Sequence, residues 1–174
     1  YSFLAHKRIM ELEKQHNIKI KYMPILLDGL HHLSGIIAPG LIPSKAKNMI
    51  KDCKLWAEKY KINFKFNVYF PIKTINLMRG ALVAEKENFS RMYIDKVFDS
   101  MWKDGLNLND VIVLNKLLKN LNLNPKTFLK QIGKDKIKEE LKTRTNDAYN
   151  KGIFGTPSFI VNNKMFWGQD RMEF

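Results

Sequence analysis

The residues whose types and spacing could carry chemistry lie toward the two ends of the chain. Gly152-Ile153-Phe154-Gly155-Thr156-Pro157 sets two glycines and a proline ahead of the apolar run Phe159-Ile160-Val161. That composition predicts a tight loop feeding a buried strand. A proline just before a strand removes no ladder hydrogen bond, and a cis bond at Thr156–Pro157 would turn the Thr156 backbone outward, toward a ligand. Asn162-Asn163 is a hairpin-turn dipeptide, because both residues tolerate positive φ. Lys164 to Trp167 is then the returning strand, and Gly168-Gln169-Asp170-Arg171 the start of a helix. Toward the other end, the pair His31-His32 sits among Gly29, Gly35, Pro39, Gly40 and Pro43, so residues 28–43 are expected to be irregular. Adjacent loop histidines rarely ligate one ion, and neither a Cys nor a Glu-x-x-His partner accompanies them, so no metal site is expected. A long loop facing a substrate is the functional alternative to an exposed, solvated pair.

The elements that must position these groups can be read from periodicity. Ser2 to His16 is expected to be a helix, with Ala5, Ile9, Leu12 and His16 on one face, Tyr1-Ser2 at its N-terminus and Asn17 at its end. Ile18, Ile20 and Tyr22 alternate with lysines, which predicts a strand within residues 18–27. Ser44 is a candidate cap for a helix to Tyr60 that carries Met49, Cys53, Trp56 and Tyr60 on one stripe. Residues 63–71 read as aromatic and extended. Four helices should follow, marked by Ile75, Met78 and Leu82, by Phe89, Tyr93, Val97 and Met101, by the cap pair Asn109-Asp110, and by Asn124-Pro125 with Gly133 as the stop. A last helix carries Ile137, Leu141, Thr145 and Ala148 and ends near Gly152. The expected order is a βαβ half, a helical block, and a ββα end: an α/β domain over 1–43 and 151–174, interrupted by an all-helical domain over 44–150.

Composition narrows the function classes. With 45% hydrophobic and 27% charged residues in 174, the chain has the balance of a soluble globular protein. Its densest apolar run, Pro24 to Leu27, is far too short to span a bilayer. The single Cys53 excludes internal disulfides and fits a reducing, cytoplasmic compartment; on a helical stripe it behaves as a small hydrophobe. The net charge of +13 comes mostly from scattered lysines, and Lys134 to Glu140 mixes both signs. This suits attraction of anionic small molecules better than binding of nucleic acid. The chain begins at Tyr1 without Met and stops at Phe174 inside an expected helix, so it is read as a fragment cut at both ends.

Tyr1-Ser2-Phe3-Leu4-Ala5-His6, Gly152 to Pro157 and Phe166-Trp167-Gly168-Gln169-Asp170-Arg171 resemble the 2-hydroxychromene-2-carboxylate isomerases. These are relatives of kappa-class glutathione transferases in the DsbA-like thioredoxin-fold group, and the resemblance runs along essentially the whole chain. It implies a thioredoxin-like fold with inserted helices and first strand missing, with glutathione as cofactor. The cofactor would be held by Thr156, Pro157, Trp167, Gly168, Gln169 and Asp170, with Thr156 pairing edge to edge with the tripeptide. The serine that holds the thiol in the family would lie two residues before Tyr1, so the resemblance places no catalytic residue within the chain; Ser2 matches the family's second serine. For an aromatic carboxylate substrate it implies Lys45, either His31 or His32 in place of a family lysine, Phe70 in place of a Tyr, and Asn76. The implied reaction is thiolate addition to the chromene, ring opening, rotation and expulsion of glutathione. A homodimer is left open; neither nucleic acid nor membrane is expected as a partner. The competing readings are a kappa-type transferase, a DsbA-like disulfide oxidoreductase and a non-enzymatic thiol-binding module. The oxidoreductase needs a second cysteine where Ser2 stands, and a serine cannot resolve a mixed disulfide.

Overall fold

The computed structural model describes all 174 residues. Its elements in order are α1 (Ser2–His16), α2 (Leu27–Ser34), a 3₁₀ turn (Pro39–Leu41), α3 (Pro43–Lys59), α4 (Ile75–Lys86), α5 (Ser90–Trp102), α6 (Val111–Asn120), α7 (Pro125–Ile132), α8 (Asp135–Asn150), β1 (Ser158–Val161), β2 (Lys164–Trp167) and a second 3₁₀ turn (Gln169–Arg171). The backbone divides into two units. One comprises residues 1–23, 27–64 and 146–174, the other residues 24–26 and 65–145. The division falls later than expected at its first boundary: α3 belongs with the chain ends and not with the helical block.

The helical unit is built as its periodicity predicts. Tyr93 and Met101 of α5, Leu82 of α4, and Ile137 and Leu141 of α8 all enter one buried cluster with Leu117, Leu118, Phe128 and Ile132. Two of its helices carry the expected caps. The Asp110 carboxylate accepts from the N–H groups of Ile112 and Val113, at 2.8 and 3.4 Å, and the Asn124 side chain accepts from Thr127 at 3.1 Å. These bonds satisfy donors that the first turn leaves free. No strand lies anywhere between residues 65 and 145.

The other unit departs further from expectation. Residues 18–26 form no strand; Ile20 N–H turns to the Glu13 side chain at 3.1 Å and the Tyr22 hydroxyl to His6 Nδ1 at 2.8 Å. Alternation suits a strand only where a neighbour supplies a ladder, and the sheet here has only two strands. The histidine pair lies on a helix, α2, and not on an irregular loop. Leu30 is fully buried there, and Gly35 after the last turn takes φ 64°, the usual way to end a helix. Ser44 caps nothing, because α3 already starts at Pro43. Along α1 the buried face is Phe3, Leu4, Ala5, His6 and Ile9, and His16 is exposed.

β1 and β2 pair antiparallel, with Phe159 opposite Phe166 and Val161 opposite Lys164. Asn162 and Asn163 make the turn with φ 48° and 62°, the left-handed pair that a two-residue hairpin requires. β1 is not the buried strand expected: Ile160 and Val161 are exposed. The helix expected from Gly168 is a single 3₁₀ turn.

Candidate functional site

The C-terminal hairpin folds a compact corner from four short pieces. The Thr156–Pro157 bond is cis, and Gly168 N–H donates to the Pro157 carbonyl at 3.0 Å. That bond sets the Thr156-Pro157 loop beside the segment Trp167–Gln169. Ser158 Oγ donates to the Gly155 carbonyl at 2.7 Å and closes the loop from inside. Gly155 is buried, and a Cβ there would stand 2.7 Å from the Trp167 indole nitrogen. Only a glycine lets the loop lie that close to the ring. Phe154 meets the same indole edge-on, with ring centres 4.9 Å apart. Gly168 takes φ 111°, and a Cβ there would run into the Asp170 carboxylate. The six residues from Thr156 to Pro157 and Trp167 to Asp170 thus lie in one corner.

Two features of this corner are open to a ligand. Neither the N–H nor the C=O of Thr156 is used by another main-chain group. A peptide backbone could pair there. The Asp170 carboxylate is exposed, with the Arg171 guanidinium 4.0 Å away. Gln169 by contrast is buried, and its carbonyl accepts from the Tyr60 hydroxyl at 3.4 Å. The Tyr60 ring in turn lies under the Arg8 guanidinium at 5.7 Å. The turn is therefore fastened to α3 and α1 through Tyr60 and Arg8.

The start of α1 is the second feature of this unit. Tyr1 precedes the helix and has no capping side-chain bond. Its hydroxyl donates instead to Asp52 Oδ2 of α3 at 2.7 Å. Burial, together with the bond to Asp52, pushes the Tyr1 phenol well above its ordinary range. Cys53 is buried beside this pair, and burial pushes its thiol up as well. Periodicity flagged Cys53 only as a helix residue; nothing in the spacing pointed to Tyr1 and Asp52, which are 51 positions apart. His6, buried on α1, was likewise overlooked; a buried imidazole needs a partner, and Tyr22 provides one.

The residues expected to meet a substrate belong to both units. His31 is half-buried and His32 exposed on α2, and Lys45 is exposed on the first turn of α3. Asn76 is exposed on the first turn of α4, in the helical unit. Phe70 belongs to that unit too. Its ring packs 5.7 Å from Phe66 and 5.8 Å from Trp102, so much of it serves the aromatic core there. No group of three or more His, Cys, Asp or Glu side chains is arranged to hold a metal ion. No helix is long and apolar enough to cross a membrane.

A loop with a cis proline between a last helix and a β-hairpin defines a class. The family model of the DSBA-like thioredoxin domain matches residues 1–174, and the chain belongs to that family. Among its relatives, the chain is 25% identical to the 2-hydroxychromene-2-carboxylate isomerase of Sphingobium xenophagum over 177 residues, covering all of this chain and 89% of the relative. It is 24% identical to glutathione S-transferase kappa 1 of Rattus norvegicus over 189 residues, covering 99% and 83%. A solved structure of a 2-hydroxychromene-2-carboxylate isomerase superposes with a TM-score of 0.89 at 21% identity, covering 99% of this chain and 85% of the other.

Proposed function

We propose that this protein is a glutathione-dependent isomerase acting on 2-hydroxychromene-2-carboxylate or a similar aromatic carboxylate. The observation that carries the reading is similarity along the entire chain to isomerases of that name. The corner described above fits a tripeptide thiol. The unpaired N–H and C=O of Thr156 suit a peptide backbone, and the Asp170 carboxylate suits an ammonium group. Pro157, Trp167 and Gly168 shape the loop, and Gln169 anchors the turn that carries Asp170. Uncapped N–H groups at the start of α1 favour a thiolate over a thiol, because the positive helix end lowers the cost of that charge. Glutathione, when bound, supplies a thiolate that adds reversibly to the ring, so that the ring C–O bond opens and the thiol is returned after rotation. The serine that would hold the sulfur stands two residues before Tyr1 in this reading. Lys45 and one of His31 and His32 offer cationic contacts for the substrate carboxylate, the histidine only when protonated.

The test is isomerisation of 2-hydroxychromene-2-carboxylate by the full-length protein, followed by absorbance with and without glutathione. Turnover that requires glutathione supports the reading. A kappa-type transferase is the second reading, favoured by the similarity to glutathione S-transferase kappa 1. Conjugation of an electrophilic halide without chromene isomerisation would replace the first reading with that one. Glutathione binding without either activity would leave only a thiol-binding module.

A further inference from the structure

We propose that Asp52 is a positioning residue for the thiol site, acting through Tyr1 to fix where α1 begins. The inference rests on the glutathione reading above. The bond from the Tyr1 hydroxyl to Asp52 Oδ2, at 2.7 Å, ties the residue ahead of α1 to the middle of α3 across 51 positions. It is short and charge-assisted, the stronger kind of side-chain hydrogen bond. No side-chain cap acts at this helix start, and its first turn has no acidic residue. Beneath it, Phe3, Leu4 and Ala5 are buried, so the helix is fixed by packing from its second residue inward, and Tyr1 is the point where an additional hold is needed.

Asp52 looks misplaced for a site that must stabilise a sulfur anion, since a bare carboxylate nearby would raise the pKa of the thiol. The ionisable groups gathered here are the Tyr1 phenol and amino group, Asp52 and Cys53. Burial pushes both the phenol and the thiol up and keeps them neutral beside the carboxylate. The hydrogen bond from Tyr1 spreads that charge and turns the carboxylate into an anchor. The benefit to the thiolate then comes from geometry: helix-end stabilisation falls away within one turn, and small misplacements at a reacting group are costly.

The sign of one shift separates anchor from charge. The full-length protein is titrated with pH in the presence of glutathione, and the glutathione-dependent ultraviolet absorbance of the thiolate is followed. Asp52→Ala and Tyr1→Phe are each expected to raise the thiol midpoint by about one pH unit. The double variant is expected to match the singles, because both remove one interaction. Asp52→Asn keeps an acceptor and should retain most of the wild-type midpoint. A midpoint that falls or stays put in Asp52→Ala overturns the proposal, the first outcome marking Asp52 as a mere charge. Lower thermal stability in the variants with unchanged midpoints overturns it in favour of a purely structural bond. A wild-type protein with no glutathione-dependent thiolate signal removes the glutathione reading itself and the proposal with it; variants without effect beside a wild type that gives the signal remove the proposal alone.

Discussion

The two units of this chain solve different problems with the same composition. In the helical unit, apolar side chains from five helices close on one another around a few polar groups, and Asn67 among them is fully paired. Asn67, fully buried, donates from one side-chain nitrogen to the carbonyls of Met101 and Leu106, both at 2.9 Å, and accepts from Tyr69 at 2.9 Å. In the other unit the hairpin shows its apolar residues outward: Ile160 is 51% exposed and Trp167 52%. The exposed Asp170 carboxylate and the Thr156 main chain, which no other main-chain group uses, lie in the same corner. The helical unit spends its apolar surface on its own core. The unit that leaves apolar and main-chain groups exposed on a loop and hairpin is where binding can occur.

The contrast can be broken most directly by truncating one apolar residue in each unit. Leu118 is completely buried in the helical cluster, and Leu118→Ala should cost about 2–5 kcal/mol, since a cavity adds to the lost transfer energy. Ile160→Ala, half-exposed on β1, should stay within roughly 0.5 kcal/mol. Urea unfolding of both variants checks the pair. Equal losses would mean that the hairpin face is covered in solution.

A second variant sharpens the contrast at the proposed site. Asp170→Ala removes an exposed carboxylate that caps nothing within its own turn. If it receives the ammonium of glutathione, the loss is about 1.5–3 kcal/mol of binding, or roughly ten- to a hundredfold in affinity by the rule of 1.4 kcal/mol per decade. Activity would recover in part at high glutathione, because the lost interaction is one of binding. Calorimetry showing unchanged affinity would move the cofactor elsewhere. Stability should change by no more than about 0.5 kcal/mol, as for other surface substitutions.

How far the sequence could be read follows the same division. The helical unit was legible because its signals are local. Fourfold spacing placed Tyr93 and Met101 in the core, and Asp110 and Asn124 announced their helices one residue early. The hairpin was legible for the same reason, since Asn162-Asn163 encodes a turn without reference to anything distant. Failures came where the outcome depends on a partner far along the chain. Ile18, Ile20 and Tyr22 have the alternation of a strand but no strand beside them, and Tyr22 is claimed by His6. His31 and His32 were misread because Gly29 and Gly35 suggested a loop; the burial of Leu30 outweighs one helical glycine, whose cost is about 1 kcal/mol. The bond between Tyr1 and Asp52 has no local signature at all.

The smallest effect concerns how the helical unit holds its surface. Arg144 of α8 bridges Glu85, at 2.6 Å, and Glu140, at 2.7 Å, and Lys86 also pairs with Glu140. Burial alone would raise the Glu140 carboxyl, but the hydrogen bonds and charges of Lys86 and Arg144 outweigh it and hold the group below the usual carboxylate range. A carboxyl depressed in the folded state contributes stability above its unfolded pKa, and that contribution is lost as pH falls through the folded pKa. Wild type should therefore exceed Glu140→Gln in stability at neutral pH, by less than about 1 kcal/mol for a partly exposed network. The gap should close as the medium is acidified below the ordinary glutamate range, near about pH 4.3. It should also shrink with added salt, which screens such pairs. Thermal melts of both proteins across this range decide the matter. A gap that persists in acid would mean that the difference does not come from the Glu140 charge, and the ionic account of this surface would fail.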